Sequence, residues 1–451
     1  MGKWLVLVLA ATSVLCAQDE DFHVFRDPPR IFLNAQRLKR VQRETTRESI
    51  RWRQFSTLAE SQAQFPEPGF AWALHYAATG NAASAKTAIE WAMQPGATDI
   101  RQLALVYDWC QKAMSPAQKS AIGAKLLKVV NAAPGSGKGA AGIRDQVLAA
   151  IAIADEAAEP AEKVIRYTVE EWWRKSIAPA LREGKPAISR EELAPLFEVL
   201  HAVFDNTKVD LRDGAPQFFK DIPSWHLLSH YPAPLQTADN EFRIPAFVGT
   251  GEPDLKVAAL SRAADLMIVA YDPNAVEAQF LQGYLIQDRF LMRGLFGLPY
   301  EFLWANPYQP GLPFAKMDPF FHDATGGRFF VRSSWEEDAT WFGFFDGAMQ
   351  LSTGTEIRNL KPGALKEPVE IGGATILQAA SADGMKFPID LPEGGVFFIL
   401  GFPPKAVFDV ETDEEEMFEA EADASGILLL EFAKGAKGQV WIHRPGRGVL
   451  P

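Results

Sequence analysis

The chain has 451 residues, 47% of them apolar and 23% charged, with a net charge of −12. That length is more than one hydrophobic core fills, so two or more globular domains are expected. The acidic balance argues against nucleic acid as a partner, whereas an anionic sugar polymer needs only a local basic lining.

Residues 1–17 read as a secretory signal peptide. Lys3 gives the positive start, 4–15 the apolar stretch, and Leu15-Cys16-Ala17 a cleavage site before Gln18. The stretch is too short to span a membrane. A lipid anchor at Cys16 fits less well, because Leu15 stands where a small residue is wanted. A secreted or periplasmic mature chain would keep Cys110 as its one cysteine, leaving stability to packing rather than disulfides.

Apolar residues then recur at helical spacing. Asn34 is a good N-cap for the first helix, and helices are expected over 51–63, 70–79, 82–93 and 101–113. Ser115-Pro116-Ala117-Gln118 forms a capping box before a helix whose stripe is Ile122, Leu126 and Val130. The Gly-rich connector 131–142 is no phosphate loop, since Gly139 follows Lys138 where Ser or Thr is needed and no strand precedes it. Helices resume over 143–155, 161–181, 191–204, 255–271 and 276–296, interrupted by a turn-rich stretch from Asp205 to Gly251. Short-linked helix pairs of this kind curve into a toroid with a groove at its mouth.

Pro299 to Met317 reads as the crossing between domains. From Gly326 onward short Val, Ile, Phe and Trp runs bounded by Gly and Pro predict strands. Phe329–Trp335 and Thr340–Phe345 form the first hairpin, and further strands are expected at 369–377, 395–400, 406–410, 417–422, 427–432 and 439–443. The expected fold class is α+β and multidomain: an incomplete α/α toroid over 28–312, then an antiparallel β-sandwich of two packed sheets over 318–451.

Four stretches resemble the heparinase II/III-like and alginate-lyase-like group. They are Pro29-Arg30-Ile31-Phe32-Leu33, Ala73 through Asn81, Tyr107-Asp108-Trp109 with Ser115-Pro116, and Gly327 through Trp335. The resemblance implies a toroid followed by a β-sandwich, and cleavage of acidic polysaccharides by β-elimination. These are scaffold motifs. The group's His-rich catalytic segment corresponds to Gly347–Gly354, which holds no His, and its Asn-His pair is replaced near Gly142-Ile143-Arg144-Asp145.

Elimination needs a group to neutralise the uronate carboxylate, a base for the C5 proton and an acid for the leaving oxygen. The candidate catalytic residues are His226, His230, Tyr231, Arg243, Asp288, Arg289 and Glu301; Trp225, Asn240, Tyr284, Tyr300, Trp304, Asn306 and Arg144 are candidate substrate contacts. His226 and His230 have the four-residue spacing of metal ligands, but no Glu follows His226 and Pro223 and Pro232 bracket them, so no metal or other cofactor is assigned. Arg243 could neutralise a uronate or pair with Glu241. Tyr284 and Asp288 share a helical face next to that of Arg289 and Arg293, where a salt bridge is the plainer reading. Tyr300 to Tyr308 suits sugar stacking or a domain interface. Two rivals remain: a non-catalytic relative that binds a cell-wall glycan, and a toroidal glycoside hydrolase drawing its carboxylate pair from Glu241, Asp288 and Glu301. Oligomeric state is not legible.

Overall fold

In a computed structural model, the described residues are 20–236, 241–249, 252–287, 294–354, 356–361, 363–413 and 417–446. The segment 1–17 expected to be a signal peptide, Asn240, Asp288, Arg289 and Arg293 lie outside them. The first part of the chain is helical: α1 (Ala35–Thr46), α2 (Ile50–Glu60), α3 (Pro68–Thr79), α4 (Ala82–Met93), α5 (Ile100–Trp109), α6 (Pro116–Val130), α7 (Gly139–Ala152) and α8 (Ala158–Tyr167). A π-helical stretch, Thr168–Ile177, leads into α9 (Ala178–Arg182). Then come α10 (Leu193–Thr207), α11 (Pro216–Leu228), α12 (Leu255–Tyr271), α13 (Val276–Gln287) and α14 (Gly297–Trp304).

Burial separates these helices into two layers. α5 buries every residue from Arg101 to Trp109, and α10 is almost as apolar on all sides. α6 buries only its predicted stripe of Ile122, Leu126 and Val130. Accordingly α3, α5, α7, α10, α12 and α14 pack in succession as an inner ring, and α14 returns to α2 and α3. α4, α6, α8, α11 and α13 alternate with them on the outside.

Two of the resembling motifs meet at the far end of this ring. The Asp108 carboxylate accepts from the backbone N–H groups of Arg30 (2.8 Å) and Ile31 (2.9 Å), and Trp109 Nε1 donates to the Ile31 carbonyl at 2.8 Å. Burial pushes the Asp108 carboxyl up to about 6, against the pull of those N–H groups and Arg30. Replacing Asp108 with Ala leaves two buried N–H donors unanswered, so a loss of about 2–4 kcal/mol in urea denaturation is expected. Asp108→Asn, which keeps an acceptor oxygen, should recover much of it.

The rest is sheet. After a small ribbon, β1 (Leu235–Gln236) with β2 (Glu241–Phe242), the strands are β3 (Phe320–Asp323), β4 (Arg328–Arg332), β5 (Thr340–Phe345), β6 (Ala348–Thr353), β7 (Glu356–Leu360), β8 (Val369–Ile371) and β9 (Ala374–Gln378). β10 (Gly384–Leu391), β11 (Gly395–Leu400), β12 (Val407–Thr412), β13 (Met417–Glu421), β14 (Leu428–Phe432) and β15 (Ala436–His443) complete it. The predicted first hairpin is β4–β5, with Phe329 opposite Phe344 and Arg332 opposite Trp341.

Three sheets stack, rather than the two expected. β3-β4-β5-β6-β7 and β10-β15-β12-β13 cover the two faces of β14-β11-β9-β8, whose β11–β9 pair is parallel. Side-chain alternation shows why. Along β11, Phe398 and Leu400 join the core shared with β4 and β5, while Phe397 and Ile399 join the core shared with β12 and β15. On β4, Phe329 and Val331 face the middle sheet, whereas Phe330 turns to Leu228, Tyr231, Ile244 and Ala258 of the helical part. Trp341 Nε1 donates to the Leu228 carbonyl at 2.7 Å across that junction.

The stretch expected to be turn-rich contains α11, with Pro216 in its first turn and Pro223 inside it. Proline density suggested loop, but its apolar residues pack the helix onto α12, α13 and the first sheet. Residues 297–304, assigned in part to the crossing, form α14 and close the ring. No helix among the described residues is long and apolar enough to cross a membrane.

Candidate functional site

The inner helices all present their N-terminal ends at one mouth, and a chain of charged contacts runs around it. Arg101, at the start of α5, reaches across the bore to Glu198 of α10 (Nε to Oε1, 2.7 Å); their side chains are 3% and 2% exposed. Its Nη1 donates to Glu67, the N-cap residue of α3, at 3.2 Å, and Tyr300 of α14 donates its hydroxyl to the same carboxylate oxygen at 2.9 Å. Arg144 of α7 takes the other oxygen of Glu198 at 3.3 Å and pairs with Asp145 at 2.7 Å. Arg262 Nε of α12 lies 3.8 Å from Glu301 of α14. Burial opposes the Arg101 charge, but Glu198, Tyr300 and Glu67 outweigh it and hold the guanidinium well above its ordinary value. These contacts join the inner helices at this end, so anything bound at the mouth meets a floor of guanidinium and carboxylate groups. Positive helix ends and arginines favour an anionic guest there.

A second cluster forms the wall toward the sheets. His226, near the end of α11, is fully buried and bonds through Nδ1 to Asp265 of α12. Asp265 accepts, so Nδ1 carries the proton and the lone pair lies on Nε2, which has no hydrogen-bond partner. Burial and the nearby Arg190 hold His226 below its ordinary value, against Asp265. Burial alone would raise the Asp265 carboxyl; His226, His230 and Arg190 more than reverse that and keep it low. Arg190 is fixed by Ser261 (2.9 Å) and Ser229 (2.6 Å), lies over the Trp225 ring at 5.9 Å, and is within electrostatic reach of Asp265 and Tyr284. The Tyr284 ring sits 6.3 Å from His230 and 5.4 Å from Phe314, which in turn stacks edge-on with Trp335 at 5.0 Å; Arg332 covers Trp335 at 4.4 Å.

Of the residues singled out in the sequence, the structure gathers Trp225, His226, His230 and Tyr284 in this wall, and Arg144, Tyr300 and Glu301 in the floor. His230 is buried, donates Nδ1–H to the His226 carbonyl at 2.6 Å, and is pushed down to about 3 by burial. Tyr231 turns away from the mouth: its hydroxyl donates to Gln350 at 2.8 Å, tying the segment after α11 to β6. Tyr231→Phe is expected to cost about 1 kcal/mol in thermal or urea unfolding, the worth of one buried hydrogen bond. Arg243 pairs with Glu337 at 2.9 Å and donates to the Pro232 carbonyl at 2.7 Å. Trp304 is packed at the far end of the ring under Arg37 (4.4 Å) and against Phe32, too deep to stack on a sugar. Asn306 caps the Tyr308 N–H at 3.2 Å and takes Gln282 on its carbonyl, a turn-forming role.

Glu67, Arg101, Arg190, Glu198 and Asp265 went unnoticed in the sequence. A signal for three of them was present: Arg101 before QLALVY, Glu198 in LAPLFEVLHAVF and Asp265 before LMIVA are charges set in or against apolar runs. Burying such a charge is costly unless it is paired, so each implies a partner on another element.

No protein-family model matches this chain, and no curated protein matches it. A solved structure titled "Glycoside hydrolase" aligns over 84% of this chain and 71% of that one, at TM-score 0.31 and 9% identity. A likeness so slight carries neither fold nor activity across. The functional reading rests on the mouth itself.

Proposed function

We propose that the protein is an exported, carbohydrate-active protein that handles an acidic polysaccharide at the mouth of the helical ring and cleaves it by β-elimination. The observation that carries this reading is His226, oriented by Asp265 so that its lone pair sits on Nε2, with Arg190 nearby and Tyr284 against the neighbouring His230. Arg190 neutralises the uronate carboxylate and makes the C5 proton acidic. His226 Nε2 is shielded from solvent in the free protein; once substrate binding opens the wall it removes that proton, and the C5–H bonding pair becomes the C4–C5 double bond as the C4–O bond breaks. The Tyr284 hydroxyl protonates the departing oxygen. The aromatic line of Tyr284, Phe314 and Trp335 supplies ring faces beside the scissile sugar.

A second reading has its own support. Glu67 and Asp145 are carboxylates of the floor that reach solvent, at 23% and 30% side-chain exposure. Burial raises the Asp145 carboxyl despite Arg144, which suits a general acid in glycoside hydrolysis.

Incubation with uronate polymers and with neutral glucans separates the readings. An unsaturated, ultraviolet-absorbing product from the uronate polymers is the expected result. New reducing ends without it would replace elimination by hydrolysis, and binding with neither would mark a non-catalytic glycan binder. Neither product nor binding would remove the carbohydrate reading.

A further inference from the structure

The end of the ring opposite the mouth holds a separate cavity of about 470 Å³, between the first turn of α1 and the last turns of α10 and α12. Its charges do not balance. Arg26, Arg37 and Lys208 line it against one carboxylate, Asp205. That carboxylate is already engaged, accepting from Asn34 Nδ2 at 3.2 Å and lying 3.9 Å from Arg37. Arg26 has no ion pair among the described residues, and its Nη1 is shielded from solvent without a hydrogen bond. Lys208 is met by the rings of Phe25 and Phe204, each 5.4 Å away, rather than by an acid. Both rings stay open to solvent, at 54% and 37% exposure.

Cations near helix C-termini can serve the helix dipole. That accounts for Lys208, at the end of α10, but not for Arg26, which belongs to the extended arm before α1. Asp108 is within electrostatic reach of Arg26, yet the lining of the recess keeps three cations to one carboxylate and a shielded guanidinium N–H with no acceptor, a local arrangement that an anion would complete. The cavity is within the size range of small-molecule sites, and open aromatic rings beside the cations suit the apolar face of a sugar. We propose that this recess binds a monosaccharide-sized organic anion, a sugar ring bearing one carboxylate, held by Arg26, Arg37 and Lys208 against Phe25 and Phe204. The site is independent of the chemistry at the mouth.

Isothermal titration of the full chain with glucuronate tests this, with glucose and inorganic phosphate as the other two arms. Glucuronate is expected to bind, glucose not to bind, and phosphate to bind at least tenfold more weakly. Arg26→Gln and Lys208→Gln should each weaken glucuronate at least tenfold with unchanged melting temperatures, while Arg144→Ala at the mouth leaves that affinity intact. No glucuronate binding, equal binding of phosphate, or loss in Arg144→Ala with retention in Arg26→Gln and Lys208→Gln would overturn the assignment.

Discussion

His226→Asn and Tyr284→Phe are each expected to lower formation of the unsaturated product by about 10²–10⁴-fold, the range for loss of a positioned acid or base. Both changes are small. Asn keeps an N–H for Asp265, so the buried carboxylate retains a partner. Phe removes only the Tyr284 hydroxyl and leaves its packing on Phe314 in place. Near-ultraviolet circular dichroism should therefore match the parent while the rate falls. The pH profile gives a second readout. A base must be neutral, and burial together with Arg190 holds His226 below the ordinary histidine value of about 6.5. The acidic limb of the rate should thus lie below that value, with activity lost only as pH falls further. Unchanged rates in both variants would end the elimination reading, as would a limb at or above the ordinary value.

The largest expected loss of stability is at Glu198. Its two oxygens hold Arg101 and Arg144, which come from two different helices of the ring. Removing one member of a buried ion pair leaves the other charge uncompensated, at a cost of about 3–5 kcal/mol. Glu198→Ala should lower the urea midpoint accordingly, and Glu198→Gln, which retains acceptor oxygen but not charge, should fall between. The exposed Arg166–Glu170 pair on the outer layer, at 3.2 Å, makes the control, since breaking such a pair changes stability by about 0–1 kcal/mol. Equal effects at the two sites would mean that the charged floor does not brace the ring.

The contrast between these two pairs bears on what a sequence can reveal. α4 and α12 follow directly from their apolar spacing, and the Ser115–Gln118 capping box is present as read. β11 and the β4–β5 hairpin likewise follow from short Val, Ile, Phe and Trp runs set off by Gly and turn residues. α11 and α14 escaped because prolines and dense aromatics obscured the helical period, and burial against neighbouring elements decided them instead. In the same way, nothing local to Arg243 pointed to Glu337, which the fold brings to it from 94 residues away.

By itself, the sequence determined the change of character near Gly326 and many of the helices and strands on either side of it, because local periodicity and capping act within a few residues. Only the tertiary structure decided which charges share a site: Arg101 with Glu198, and His226 with Asp265, lie 97 and 39 residues apart. Such pairings are enforced by the cost of leaving a charge alone in an apolar ring, and that cost is felt only once the helices close around it.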